Sequence, residues 1–214
     1  MIATDELVKR VRGLLNEAEE DKRLSFLTED TRSIDEHILR LLPQAVALVQ
    51  KSKAKGRVNC KSVAPTAAVA ADNGYGACVL VLPDDYAELV SLQLEEWQRP
   101  CCRLFPPHSG EAMAQDSIYT RAGVCRPVAV EGTDEDGKRV ALLYPAGSGK
   151  LRHFVYEAVF DAGKGLEGCD TVLADAVAYY CAALLYTVFE RQDLAGGFLS
   201  LATALCNGKN SERR

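Results

Sequence analysis

The spacing of apolar residues divides this chain into a helical start, a strand-rich middle and a helical end. Leu7, Val8, Val11, Leu14 and Leu15 fall on one helical face behind Thr4, Asp5 and Glu6. That pattern predicts a helix capped by Thr4, with acids in the first turn where the helix dipole favours them. Glu17 to Asp21 read as its solvated, charged end, and residues 21–32 as a loop or broken turn. Ser33 with Glu36 then makes a capping box ahead of Ile34, Ile38, Leu41, Leu42, Ala45, Val46, Leu48 and Val49. A second amphipathic helix follows, kinked at Pro43, where a backbone donor is missing. Its basic end, Lys51 to Arg57, suits a helix C-terminus. Two such helices joined by a short connection predict an antiparallel pair.

The period then changes. Residues 57–76 are rich in small residues, with a turn signal at Asn73-Gly74, and read as extended and poorly regular. Ala77 to Leu82 is a short buried strand. Pro83 breaks it, and Asp84-Asp85 are expected to open a helical turn. Next, Leu92 and Leu94 face one way while Ser91, Gln93 and Glu95 face the other, the period of a half-buried strand. Trp97 follows, and Arg99-Pro100 ends the unit. The stretch Val79 to Phe105 is thus the hinge between helices and sheet. Pro106 to Gly123 is loop with one helical turn at Glu111 to Gln115. Residues 124–144 form a hairpin about the turn Asp134 to Gly137, and His153 to Phe160 is another strand. Asp170 caps a long helix whose broad face includes Val172, Leu173, Ala176, Val177, Tyr180, Ala183, Leu184 and Val188. Its many alanines allow close helix approach. Asp193 starts a last helix carrying Leu194, Phe198, Leu201 and Leu205.

The expected fold is α+β: an N-terminal helix pair and a C-terminal helix pair packed with a small antiparallel sheet and hairpin. One domain spans 1–206, with helical layers 3–54 and 170–206 and a sheet and loop region 57–168; residues 207–214 are a flexible C-terminal tail.

Composition narrows the class. The 214 residues are 48% hydrophobic and 26% charged, ordinary values for a packed globular chain. A net charge of -5 disfavours a protein built to grip phosphate backbones. The charged N-terminus MIATDELVKR has no apolar signal region, and the eight cysteines are expected to be reduced thiols in a cytoplasm. No stretch of 18 apolar residues free of charge occurs, so no membrane span is expected.

Candidate chemistry is limited to near misses. PAGSGKLR at 145–152 contains the letters of a phosphate loop, but Tyr144 stands where that pattern needs Gly and Leu151 where it needs Ser or Thr. It reads as a hairpin turn. No C-x-x-C spacing supports zinc or a redox pair. Cys101-Cys102 point to opposite faces of a strand and read as small core residues. His37, His108 and His153 are far apart in sequence. No catalytic, cofactor-binding or metal residue is assigned, no cofactor is expected, and the chain is not read as an enzyme. Trp97 suits either an interface anchor or packing at the sheet edge.

The order of parts carries a resemblance. Leu82-Pro83-Asp84-Asp85-Tyr86, Trp97-Gln98-Arg99-Pro100, Arg126-Pro127 and the Ala/Tyr helix Asp170 to Arg191 resemble the head-to-tail connectors of short-tailed double-stranded DNA phages. These are also called adaptor, tail tubular or ring proteins. The chain is most similar to those of crAss-like phages, from about Asp5 to about Leu205. Cys101-Cys102 and residues 60–73 match no feature of that family. The resemblance implies a structural virion protein at the head–tail junction, assembled in the host bacterial cytoplasm. It implies a homo-oligomeric ring, usually a dodecamer, between the portal protein and further tail or ring proteins. DNA would pass through the channel without sequence-specific binding, and no membrane is involved. Two other readings stand beside it. One is a small cytoplasmic thiol-dependent enzyme using Cys101 or Cys125 with a histidine. The other is a phage structural or binding module without ring symmetry.

Overall fold

The computed structural model describes residues 1–18, 31–52, 58–63, 69–70 and 76–208. In chain order the elements are α1 (Thr4–Ala18), α2 (Thr31–Lys51), β1 (Cys60–Val63), β2 (Val69–Ala70), β3 (Cys78–Val81), β4 (Tyr86–Leu94) and β5 (Leu104–Phe105). Then come α3 (Gly110–Met113), β6 (Val128–Thr133), β7 (Arg139–Tyr144), β8 (Leu151–Ala158), α4 (Thr171–Val188) and α5 (Gln192–Gly208). The fold is α+β, with a helix pair at each end of the sequence and small sheets between. The chain divides into two compact units, Met1–Cys60 with Val159–Arg214, and Lys61–Ala158.

The helical unit is built about α4. Leu173, Ala174, Ala176, Val177, Ala178, Cys181 and Leu185 are buried there with Leu7 and Val11 of α1 and Ile38, Leu42, Ala45 and Val49 of α2. Asp170 caps α4 as expected, its Oδ1 accepting from Val172 N at 3.3 Å. No membrane span was expected, yet by length and composition α4 is apolar enough to cross a membrane; 61% of it is buried inside the protein, as in the core helix of a globular unit. The α4–α5 turn closes by two hydrogen bonds, Arg191 N to Tyr186 O at 2.8 Å and Glu190 N to Thr187 O at 3.2 Å. That closure puts Glu190 at φ 59, a left-handed position that normally goes to Gly. Two caps differ from expectation. Thr4 does not cap α1: its hydroxyl donates to Ala162 O at 2.6 Å, and the Ala3 carbonyl accepts the first helical N–H groups. Ser33 lies inside α2, which begins at Thr31 and runs on through Pro43. The loop expected at 21–32 lies largely outside the described residues, as do the basic run after Ser52, the Asn73-Gly74 turn and the tail beyond Gly208.

The sheet unit holds two sheets, ordered β1-β8-β4 and β2-β3-β7-β6-β5. Their inward residues share one core: Leu89, Leu92, Leu94, Phe154 and Tyr156 from the first, and Cys78, Leu80, Ala129, Ala141 and Leu143 from the second. Trp97 belongs to this core rather than to an interface. It is 1% exposed, and its Nε1 donates to Pro145 O at 3.1 Å. The expected hairpin forms, with Thr133 opposite Arg139 and Val128 opposite Tyr144. Simple alternation fails in β4, where the register shifts between Gln93 and Leu94. Gln93 is therefore buried, and its Nε2 donates to Trp97 O at 2.7 Å. Asp84-Asp85 form a hydrogen-bonded turn, Tyr86 N to Pro83 O at 3.0 Å, that leads into β4. Cys101 bridges to Leu92 and is buried, whereas Cys102 is exposed and is not a core residue.

Candidate functional site

The near misses resolve into structural roles. The GSGK turn joins β7 to β8, and its amides face a protein carboxylate: Glu96 Oε1 accepts from Ser148 N at 2.8 Å. Hydrogen bonds from the Ser148 side chain and backbone hold the Glu96 carboxyl below its usual range. The Ser148 amide is thus already paired within the fold. Asp85, in the turn before β4, is held by two donors. It accepts from Lys61 Nζ and from Tyr156 OH, the latter at 2.8 Å. Partial burial opposes its charge, but these two donors outweigh that and keep its pKa low.

Among the described residues neither Cys101 nor Cys125 hydrogen-bonds a histidine: Cys101 Sγ donates to Arg103 O and Cys125 Sγ to Gln98. Cys78, Cys101, Cys102, Cys125, Cys181 and Cys206 carry free thiols. Burial pushes the Cys101 thiol up, which disfavours the thiolate a nucleophile needs. Cys181 is pushed up to about 12 by burial. Cys125 is exposed, and its Sγ donates to Gln98 Oε1 at 3.1 Å. His153 Nε2 lies 2.7 Å from Ser91 Oγ, a cross-strand pair between β8 and β4. His37 packs edge-on against Phe189. No group of three or more metal-type ligands occurs among the described residues.

Two surfaces stand out instead. The first is the outer side of α5. Ala195, Ala202 and Cys206 are buried toward the rest of the unit, and Phe198 stacks on Tyr186 with ring centroids 5.4 Å apart. Away from those positions Gly196, Gly197, Ser200, Leu201 and Ala204 are exposed, while Leu199 and Thr203 are exposed at the flank, with Thr203 Oγ1 3.4 Å from Tyr180 OH of α4. Leu199 is 48% and Leu201 51% exposed, and a Cβ built on Gly196 or Gly197 would meet open space. From Leu194 to Gly208 no residue is charged. An ordinary surface helix carries charges on that face.

The second surface is the loop between β5 and β6. Ser109 caps the short α3, accepting from Ala112 N at 3.2 Å. Gln115, 3% exposed, then ties the loop together. Its Nε2 donates to Glu111 O at 2.8 Å, its Oε1 accepts from Ala122 N at 2.9 Å, and its carbonyl accepts from Arg121 Nε at 2.8 Å. Thr120 Oγ1 adds a bond to Ala114 O at 2.8 Å. The braced loop holds out Ile118 and Tyr119, 78% and 95% exposed. Beside them runs a groove of about 490 Å³ lined by Glu111, Ala114, Arg121, Ala122, Arg126 and Val128, among others.

Sequence reading caught neither surface as a site. The uncharged run in α5 was visible, but a helix period alone does not say which side is covered. The brace at Gln115 depends on contacts across several residues, and the letters SIYTRAG give no sign of it.

No family model matches the chain, and no curated protein sequence matches it.

Proposed function

We propose that this protein is a structural subunit that packs against copies of itself in a ring between the portal and the tail of a double-stranded DNA phage. The observation that carries the reading is the outer face of α5. A helix that leaves an uncharged face of Gly, Ser, Thr, Ala and Leu open to solvent is shaped for close lateral approach to another surface. Side-by-side helices around a closed ring need such a face on every copy. The sequence resemblance described above supplies the place of that ring in a virion. The net charge of -5 suits a channel through which DNA slides without being gripped. The thiol-enzyme alternative loses support at Cys101, where burial opposes ionisation.

The test is the particle mass of the full chain in solution, alone and mixed with the portal ring encoded in the same genome. A multi-subunit particle, or a stoichiometric complex with the portal, is the expected result. Leu199→Glu and Leu201→Glu should lower that mass while leaving the circular dichroism spectrum unchanged. A monomer that ignores the portal and turns over a small molecule would overturn the proposal.

A further inference from the structure

Strand β6 carries opposite charge at its two ends. Beyond Thr133 the hairpin tip presents Asp134, Glu135 and Asp136 in succession, with Glu135 and Asp136 exposed. Asp134 is engaged locally, its Oδ1 accepting from Lys138 N at 2.7 Å. Arg139 is bound to Glu131, with Nε and a terminal nitrogen 3.0 and 2.7 Å from the same carboxylate oxygen. Lys138 alone is left to offset the tip. Before Val128, at the other end, lies the groove that Arg121 and Arg126 line together with a single acid, Glu111. Gln98 N donates to Val124 O at 2.9 Å, which sets the exposed Arg99 beside the same loop. Neither Arg99, Arg121 nor Arg126 forms an ion pair among the described residues.

The two ends cannot satisfy each other within one copy. At about 3.3 Å per residue they lie roughly 17 Å apart along a paired strand. We infer that the acidic β6–β7 tip of one copy docks into the arginine-lined groove of the next. The inference rests on the ring reading above and names two faces for it. A ring closes only through a head-to-tail contact between two different complementary surfaces. Here the surfaces are the ends of a single strand, so the polarity of β6 sets the direction in which copies add. Glu135 and Asp136 meet the guanidinium of Arg126, while Ala114, Ala122 and Val128 cover the stems. Such a contact fixes register and strengthens as salt is lowered.

Two variants of the full chain test this: Glu135→Lys with Asp136→Lys, and Arg126→Glu. All three positions are exposed, so both proteins should keep the wild-type circular dichroism and Trp97 emission. Each variant alone should lose self-association at least tenfold in sedimentation velocity at low salt. An equimolar mixture should regain it, because the reversed tip fits the reversed groove and the two native faces still fit each other. That recovery also excludes misfolding as the cause of the loss. Glu135→Gln with Asp136→Asn provides a milder version and should give a smaller loss. Variants that assemble like the wild type, or a mixture that fails to recover, overturn the docking and leave the ring reading standing on α5. A wild-type chain that stays monomeric at every concentration also overturns the docking, and the portal mixture then decides the ring reading separately.

Discussion

Phe154 gives the sharpest test of how the sheet unit is held together. Its side chain is fully buried on β8, with its ring centroid 5.2 Å from Tyr156 in a stacked pair and 6.4 Å from Tyr86 in a tilted one. Phe154→Leu keeps most of the apolar volume and removes both ring partners. Each aromatic pair contributes about 0.5–1.5 kcal/mol beyond area burial, so this change should cost about 1–3 kcal/mol. Phe154→Ala adds a cavity and should cost about 3–5 kcal/mol. Trp97, the only tryptophan, lies in the same core and makes its fluorescence a reporter for this unit. With a urea slope of about 1–3 kcal/mol per molar, a loss of about 2 kcal/mol moves the midpoint by roughly 1 M. The expected order of midpoints is wild type, then Phe154→Leu, then Phe154→Ala. If both variants unfold within about 0.5 kcal/mol of wild type, as a surface change would, the packing argument is refuted. If the two variants cost the same, the ring contacts account for the whole loss and the extra cavity left by alanine costs nothing.

Three further changes probe polar and backbone roles. Gln93→Leu strands the Trp97 carbonyl that the amide now satisfies and should cost about 1–3 kcal/mol in the same urea titration, despite adding an apolar group to the core. Asp85 has a folded pKa below its unfolded value, so its contribution is present above the unfolded carboxylate range and is lost as pH falls through the folded value. Asp85→Asn should flatten stability between neutral and acid pH. Because the pair is partly solvated, the loss at neutral pH should be about 1 kcal/mol or less; a slope unchanged from wild type would show that another group sets it. Glu190→Gly relieves a left-handed residue and should raise the thermal midpoint of the helical unit by an amount equivalent to about 0.5–1 kcal/mol. A fall in the midpoint would mean that the Glu190 side chain makes a contact worth more than the strain.

The helices and hairpin were legible because their signals are local. Asp170 followed by an apolar, Ala-rich run needs no partner to read as a capped helix, and the Asp134 to Gly137 turn marks its hairpin unaided. The errors came where a distant group intervenes. Thr4 looks like a cap, but the helix starts from the Ala3 carbonyl and the Thr4 hydroxyl turns away to donate to Ala162 O. Gln93 looks like an outward residue until the register shift beside it turns it inward, where the Trp97 carbonyl receives it. Cys102 follows a buried cysteine and so reads as core, yet the chain is there leaving its bridge to β4 and heading for the edge of the other sheet at β5. Period and propensity carry no information about such crossings.

Both loops that distinguish the sheet unit are braced by side chains of the same unit. Glu96 occupies the GSGK turn, and Gln115 occupies the centre of the loop between β5 and β6. A loop closed in this way keeps one shape before any partner arrives, so little ordering entropy remains to oppose docking. That matters most for a subunit that must add repeatedly in the same geometry. In a ring, an angular error at one contact recurs at every other and prevents closure. Anchoring Arg121 through its Nε to the Gln115 carbonyl removes one such freedom, because the guanidinium that lines the groove is aimed by the fold rather than by its neighbour. If that docking holds, Gln115→Ala should weaken self-association in sedimentation velocity more than Ile118→Ala does, although Gln115 is buried and Ile118 is 78% exposed.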